Sequence, residues 1–404
     1  MTRHPRRWAL AAAAAAAAAT LACSTTIAGT PGKEPAAGGS DGVDVALLDA
    51  GNFPTAPRPP LGAAGDAVRG GWAEARRLAS ALLGPWEADA DLIDYSQFES
   101  GVVKNTDSVN ALLGAPLGAA LDGHHFVAGF SSSRHTEKGT YKTLLNMVLE
   151  MAGPADATEA VAAMAAKSGA LTLPLDTNPV PTQQFSIPRY PATTALTYSW
   201  TEQYPAPGGP RFAVTALTAH GQYVLAQTAV SADNADAAAQ LIATTLDLQQ
   251  PLIDTFKPTP VNQLPQLPLD PDGLMARTMA PRAENETVSD GIYDAHGALH
   301  LASDDPVHLQ ALFKSTGVQQ AAVLLETRVY RTPDSAAAAR IVADMTGPHQ
   351  VAGISGMPQA KCFNETLAYW CVASAERYAY QMQNEQENAL HQMMAAQYRM
   401  LTGK

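Results

Sequence analysis

The sequence predicts an α+β protein of two tandem related domains, each an antiparallel sheet packed against alanine-rich helices. Three observations carry that expectation. At 404 residues the chain exceeds one ordinary core, since domains run to roughly 100 to 200 residues. With 46% hydrophobic and 16% charged residues it has material for two buried cores and none of the polarity of a disordered chain. It also repeats itself. Met147-Val148-Leu149-Glu150 leads through Pro154 and Asp156 into a helical pattern carrying Ala157, Ala160, Val161 and Met164. Thr327-Arg328-Val329-Tyr330 leads through Pro333 and Asp334 into Ala338, Ile341, Val342 and Met345, with the same spacing on one helix face and a connection two residues different.

In chain order, the first segment is a basic head of Arg3, Arg6 and Arg7, an apolar run from Trp8 to Leu21, and Leu21-Ala22-Cys23-Ser24. That order is an export signal, with an apolar run too short to span a bilayer. The junction resembles a bacterial lipoprotein signal, although Thr20 stands where that pattern prefers Leu. The resemblance implies that residues 1–22 are removed and that Cys23 is diacylglyceryl-modified. It places the protein on the extracytoplasmic face of the cell membrane, with the bilayer as its first partner. Two or more acyl chains are needed for stable anchoring. Residues 23–42 are rich in Thr, Gly, Pro, Ala and Ser and read as a flexible tether.

Folding is expected from Val43 to Leu48 onward. Phe53-Pro54-Thr55-Ala56-Pro57, which excludes regular helix or a central strand, returns as Phe256-Lys257-Pro258-Thr259-Pro260. Gly71 to Leu83 carries Trp72, Ala75, Leu78, Ala79 and Leu82 at helix spacing and stops at Pro85. Phe212 to Thr228 alternates about Ala219-His220-Gly221 as a hairpin, with Leu367 to Met382 as its counterpart. A helix closes each half, Ala235 to Leu248 and Glu385 to Leu401. The expected domains are therefore 43–251 and 252–404. The first alone holds a proline-rich insertion near 173–210, read as a surface excursion or a wall over a groove.

The net charge of −12 becomes −15 once the three signal arginines are lost. A surface that acidic repels phosphate backbones, so no nucleic-acid partner is expected. With Cys23 taken, Cys362 and Cys371 remain in an oxidising compartment and read as a disulfide stapling a hairpin or loop; they lack the Cys-x-x-Cys spacing of a redox pair.

No metal, cofactor or catalytic set is expected. His296 and His300, near Asp294, Asp304, Asp305 and His308, have the spacing of helical zinc ligands. Gly291, Gly297 and the alternation around His300 instead read as strand and turn, which would hold the imidazoles more than ~13 Å apart. Asp304-Asp305-Pro306 reads as the cap of a following helix. Gly353-Ile354-Ser355-Gly356 lacks the spacing of a nucleophile elbow, Ser-x-x-Lys does not occur, and phosphate loops are absent. Carboxylate pairs such as Asp89 with Asp91 are not distinctive in so acidic a chain. The insertion's Tyr190, Tyr198, Trp200 and Tyr204 are candidate contacts to a ligand or glycan, with packing as the competing use. A small-molecule, lipid or glycan binding protein is the favoured reading; an interaction or sensor-like module follows, and a cell-wall or lipid hydrolase is the least favoured.

Cys23, Asn52-Phe53-Pro54-Thr55-Ala56-Pro57-Arg58, Gly84-Pro85-Trp86-Glu87, Gly297-Ala298-Leu299-His300-Leu301, Asp305-Pro306 and Val329-Tyr330-Arg331 together resemble a group of actinobacterial lipoproteins of mycobacterial and nocardial type. Their function is uncharacterised, and their N- and C-terminal domains are described separately. The resemblance spans about Val43 to the C-terminus. It implies location and architecture and carries no catalytic residue.

Overall fold

The computed structural model describes residues 42–173, 178–202, 208–365 and 367–404. Cys23 and Tyr204 lie outside them. Asp66 accepts from the Arg69 N–H and starts α1, Ala67–Leu78. After α2, Pro85–Ala88, come β1, Leu92–Tyr95, and β2, Gly101–Val103. Asn105 caps α3, Thr106–Leu113. Strands β3, Phe126–Thr136, and β4, Lys142–Met151, lead into α4, Pro154–Lys167. Strands β5, Gln183–Ile187, β6, Tyr190–Glu202, β7, Gly209–His220, and β8, Tyr223–Ser231, are closed by α5, Ala235–Ile253.

The second half starts with β9, Gly291–Tyr293, α6, Ala295–Leu299, and α7, Pro306–Thr316. Strands β10, Gln320–Val323, and β11, Thr327–Arg331, precede α8, Ser335–Asp344. Then β12, Lys361–Asn364, β13, Tyr369–Ala375, and β14, Tyr378–Asn384, end in α9, Glu387–Thr402. Both sheets are antiparallel, ordered β1-β3-β4-β8-β7-β6-β5 with β2 also on β3, and β12-β13-β14-β11-β10-β9.

The two orders superimpose as a repeat of topology. The run β3-β4-β8-β7-β6 matches β10-β11-β14-β13-β12, β2 lies on β3 as β9 lies on β10, and α4 and α5 follow β4 and β8 as α8 and α9 follow β11 and β14. The fold is α+β, two related halves as the periodicity predicts. Each sheet is covered on two faces. On the first, Ala157, Ala160 and Met164 of α4 share one core with Val109 and Leu113 of α3, while Leu241, Ile242 and Leu246 of α5 belong to another. That second core also takes in Ile341 and Val342 of α8, Leu299 of α6 and Phe313 of α7, so the two halves meet through one continuous apolar cluster.

Three segments differ from the sequence expectation. Val43 to Leu61, grouped above with the first half by adjacency, packs in the core of α9 with Leu390, Met394 and Leu401. It is held there by Arg399 donating to the Val45 carbonyl at 2.9 Å and Gln392 donating to Asp49 at 2.9 Å. Its prolines gave no period from which a partner is readable. The proline-rich segment supplies β6, the counterpart of β12, and β5, which has no counterpart and widens the first sheet. Pro191 falls where neither neighbouring strand has a recorded ladder partner, and its missing N–H therefore breaks no pairing. Residues 295–299 are a helix, not strand and turn: Asp294 accepts from the Gly297 N–H at 2.7 Å. With only five residues in the helix, the apolar spacing there is too short to separate a helical period from alternation. The Asp305 cap with Pro306 at the first turn of α7 is as expected.

A buried amide network pins the end of α1 to the first sheet. Gln249 accepts from the Leu83 N–H and from Asn146 at 2.8 Å each and donates to the Ala81 carbonyl at 2.8 Å; Gln227 donates to Asn146 at 3.0 Å. On its other side α1 lies against the 3-10 turn Val261–Gln266. Gly70 permits that approach, because a Cβ there would sit 2.2 Å from the Leu264 carbonyl oxygen. Gly70→Ala is expected to cost about 2–4 kcal/mol by forcing the turn outward, read as a fall in the urea midpoint. Gly169→Ala, with nothing within 4 Å, is the control that leaves it in place.

Candidate functional site

Cys362 and Cys371 face each other across β12 and β13 and form the disulfide expected of them, with sulfurs 1.97 Å apart and both residues buried. His391 lies close enough for its ring to fall within 4.8 Å of both sulfurs; they are the one group of three potential metal-ligating residues among the described residues. The candidate aromatics separate. Tyr198 stacks on Trp200 with ring centroids 6.0 Å apart and is buried in the core under α4. Tyr190 turns to the other face, where its hydroxyl donates to Asp247 at 2.8 Å beside the Arg189–Asp247 ion pair.

His296 and His300 are brought together, with centroids 5.1 Å apart, but their nitrogens are occupied. His296 contacts Glu87 at 2.9 Å and the Ser80 carbonyl at 3.2 Å. Burial opposes a proton on this ring, yet the hydrogen bond and charge of Glu87 outweigh it and raise the pKa. His300 contacts the Ala79 carbonyl through Nε2 at 3.1 Å and Ser132 Oγ through Nδ1 at 3.0 Å. A carbonyl only accepts, so Nε2 carries the proton and Nδ1 accepts from the Ser132 hydroxyl. Burial, then the positive charges of His296 and Arg134, hold His300 well below its ordinary pKa and so neutral. This Ser–His contact is fully buried and lines none of the cavities described next, which gives it no access to a substrate.

The concave surface with convergent polar groups lies where α1 meets the loop before β9. Arg69, Trp72 and Arg76 form one stripe of α1 at i, i+3 and i+7. Arg76 donates to the Val288 carbonyl at 2.8 Å and divides two cavities. One, of about 430 Å³, is edged by Arg77, Lys257 and Tyr293. The other, of about 370 Å³, is edged by Arg58, Arg69, Trp72 and Asp290 with an apolar wall including Met275 and Leu324. Arg58, from the proline-rich segment, is set by donating to the Met275 carbonyl at 2.6 Å. Burial lowers the pKa of Arg76, and the neighbouring Arg69 charge adds to that fall against the opposing pull of Tyr293 and Asp290. Burial raises Asp290, whose carboxylate accepts from the Thr287 N–H and hydroxyl. Sequence reasoning took Trp72 for a core residue and passed over its two arginines. Two arginines seven apart around a tryptophan, in a chain of net charge −12, were the available signal.

A third, more apolar cavity of about 610 Å³ lies on the opposite side of Trp72, between Val68, Phe126, Val261 and Leu264. Among the described residues no helix is long and apolar enough to cross a membrane.

No curated protein matches this chain. Among solved structures it is similar to the extracellular domain of PknH from Mycobacterium tuberculosis, at 15% identity and a TM-score of 0.30, over 43% of this chain and 95% of that one. At that distance the likeness carries no argument. The model of the N-terminal domain of unknown function DUF7373 matches residues 61–269, and that of its C-terminal domain matches residues 274–404. These spans meet between the two topological repeats and agree with the two-part family that the sequence resembles, and on them the chain belongs to the DUF7373 family.

Proposed function

We propose that the protein is a membrane-anchored extracytoplasmic lipoprotein with no catalytic role, which binds a small molecule, lipid or glycan in the cleft on α1. The observation that carries the binding reading is the pair of cavities flanking Arg76: both concave and edged by convergent polar groups, the one at Arg58 and Trp72 with an apolar wall as well. The export signal and Cys23 support the location. Exposed Phe98 and Leu325 edging one depression, with Phe98 95% exposed, give the interaction-module reading its own support.

Native mass spectrometry of the exported, detergent-extracted chain tests the proposal. Extra mass that leaves on denaturation is expected, together with a diacylglyceryl increment that stays and is lost in Cys23→Ser. A bare native mass in the gentlest conditions, with no binding of apolar fluorescent probes, would remove the binding reading and favour the Phe98 surface.

A further inference from the structure

We propose that the ligand of the Arg58–Arg69–Trp72–Arg76 cavity is an anionic amphiphile, a carboxylate or phosphate headgroup on an apolar body; this rests on the binding reading above. Four other arginines have carboxylate partners, Arg77 with Glu74, Arg189 with Asp247 at 2.6 Å, Arg282 with Glu326 at 3.3 Å and Arg331 with Asp272 at 3.2 Å, whereas Arg134, Arg328, Arg340 and Arg377 are held by carbonyls. The three that edge this cavity form no salt bridge among the described residues, although the chain carries a net charge of −12. Arg69 and Arg76 lie close enough for their charges to oppose each other. A shared anion relieves that repulsion and engages the guanidinium forks, which suit the planar carboxylate and the phosphate oxygens.

Two further donors lack a partner. Arg58 Nε and Trp72 Nε1 are both buried, belong to residues that edge this cavity, and have no hydrogen-bond acceptor. A buried unsatisfied donor costs about 1–3 kcal/mol; neither nitrogen opens onto the cavity, so an acceptor-only headgroup reaches them only if the Arg58 and Trp72 side chains turn toward it. The protein's own acids do not fill the role, since Asp290 is engaged by Thr287 and Glu286 is exposed at the rim. Leu61, Leu269, Met275, Pro281 and Leu324 complete the wall, and a bare inorganic ion would leave them unmatched.

The test uses two probes that differ by one anionic group. 1-Anilinonaphthalene-8-sulfonate carries a sulfonate, and N-phenyl-1-naphthylamine is its neutral counterpart. With the full exported chain, the sulfonate is expected to bind at least about tenfold more tightly. Arg69→Glu is expected to remove that advantage and leave the neutral probe and the urea midpoint unchanged. The Arg69 side chain is exposed and in no recorded hydrogen bond or ion pair, so this variant does not disturb the fold. Dodecanoate displacing the sulfonate assigns a carboxylate head, and dodecyl phosphate a phosphate head. Equal affinity for the two probes, an unaffected Arg69→Glu, or displacement by neither amphiphile would overturn the anionic assignment while leaving a ligand site in place. Binding of neither probe, with a bare native mass, removes the site itself.

Discussion

Arg134→Met is expected to be the most destabilising single change in this protein outside backbone clashes, lowering stability by about 4–5 kcal/mol and the urea midpoint with it. Arg134 lies on β3, is 0% exposed, and has no carboxylate within ion-pair distance among the described residues. Its charge is held by carbonyls: Ile93 at 2.7 Å, Leu299 at 3.0 Å and Ala302 at 2.6 Å. The faces of Trp86 and Tyr95 lie 5.4 and 5.0 Å from the guanidinium carbon. Burial brings its pKa down to about 10, so it remains charged at neutral pH. Two of those carbonyls belong to the end of α6 and the turn after it, and the third to the strand before β2, so one side chain ties the first sheet to the second half. Methionine fills most of the volume but removes the guanidinium donors from all three carbonyls, of which Leu299 keeps the Ala302 N–H at 3.2 Å. Arg134→Lys, whose three donors radiate from one nitrogen, is expected to recover part of the loss. A methionine variant within about 1 kcal/mol of the parent would show that water reaches those carbonyls and that the bridge is dispensable.

How far the sequence reveals this molecule depends on how local each signal is. The repeat was legible because β4 to α4 and β11 to α8 are contiguous, with Ala157, Ala160 and Met164 reproduced at the same spacing by Ala338, Ile341 and Met345. The Asp305-Pro306 cap and the Cys362–Cys371 bridge were legible for the same reason, being set by neighbours within ten residues. Val43 to Leu61 was misplaced because its partners, Leu390 to Leu401, lie more than three hundred residues away. α6 was misread because a helix of five residues is too short for its period to be told from alternation. The site was least legible of all. Arg58, Arg69 and Arg76 are ordinary surface arginines in sequence, and their convergence is created by Gly70, which lets α1 settle on the Leu264 turn, and by the Val288 carbonyl that orients Arg76.

Glu150→Gln is expected to stabilise the protein, by an amount that grows as the pH rises from 4.5 to about 8. Glu150 lies on β4 and is 1% exposed; one carboxyl oxygen accepts from Gln222 at 3.1 Å and the other is buried without a partner. Burial first, then the charge of Glu74, push its pKa from the ordinary 4.5 up to about 8. Glu74 keeps its own charge company with Arg77 and accepts from the Thr259 N–H at 2.6 Å and hydroxyl at 2.9 Å, which leaves no donor for Glu150. The facing Tyr223 is itself raised by burial and by both carboxylates, so it holds its proton throughout. Because the folded pKa lies above the unfolded one, the folded state binds the extra proton between pH 4.5 and about 8. The stability this contributes is complete below 4.5, falls across that window, and is gone above about 8. Its full size is on the order of 3–5 kcal/mol. Glutamine matches the neutral acid in shape and does not titrate, so the variant and the parent are expected to coincide below pH 4.5. By pH 9 the variant leads by about 3 kcal/mol, read as a higher urea midpoint and a rise of a few degrees in Tm. Taking the difference between the two proteins at each pH cancels every other titration. A pH-independent difference would mean that Glu150 is already ionised in the folded protein, and that the neutral acid assigned to β4 is wrong.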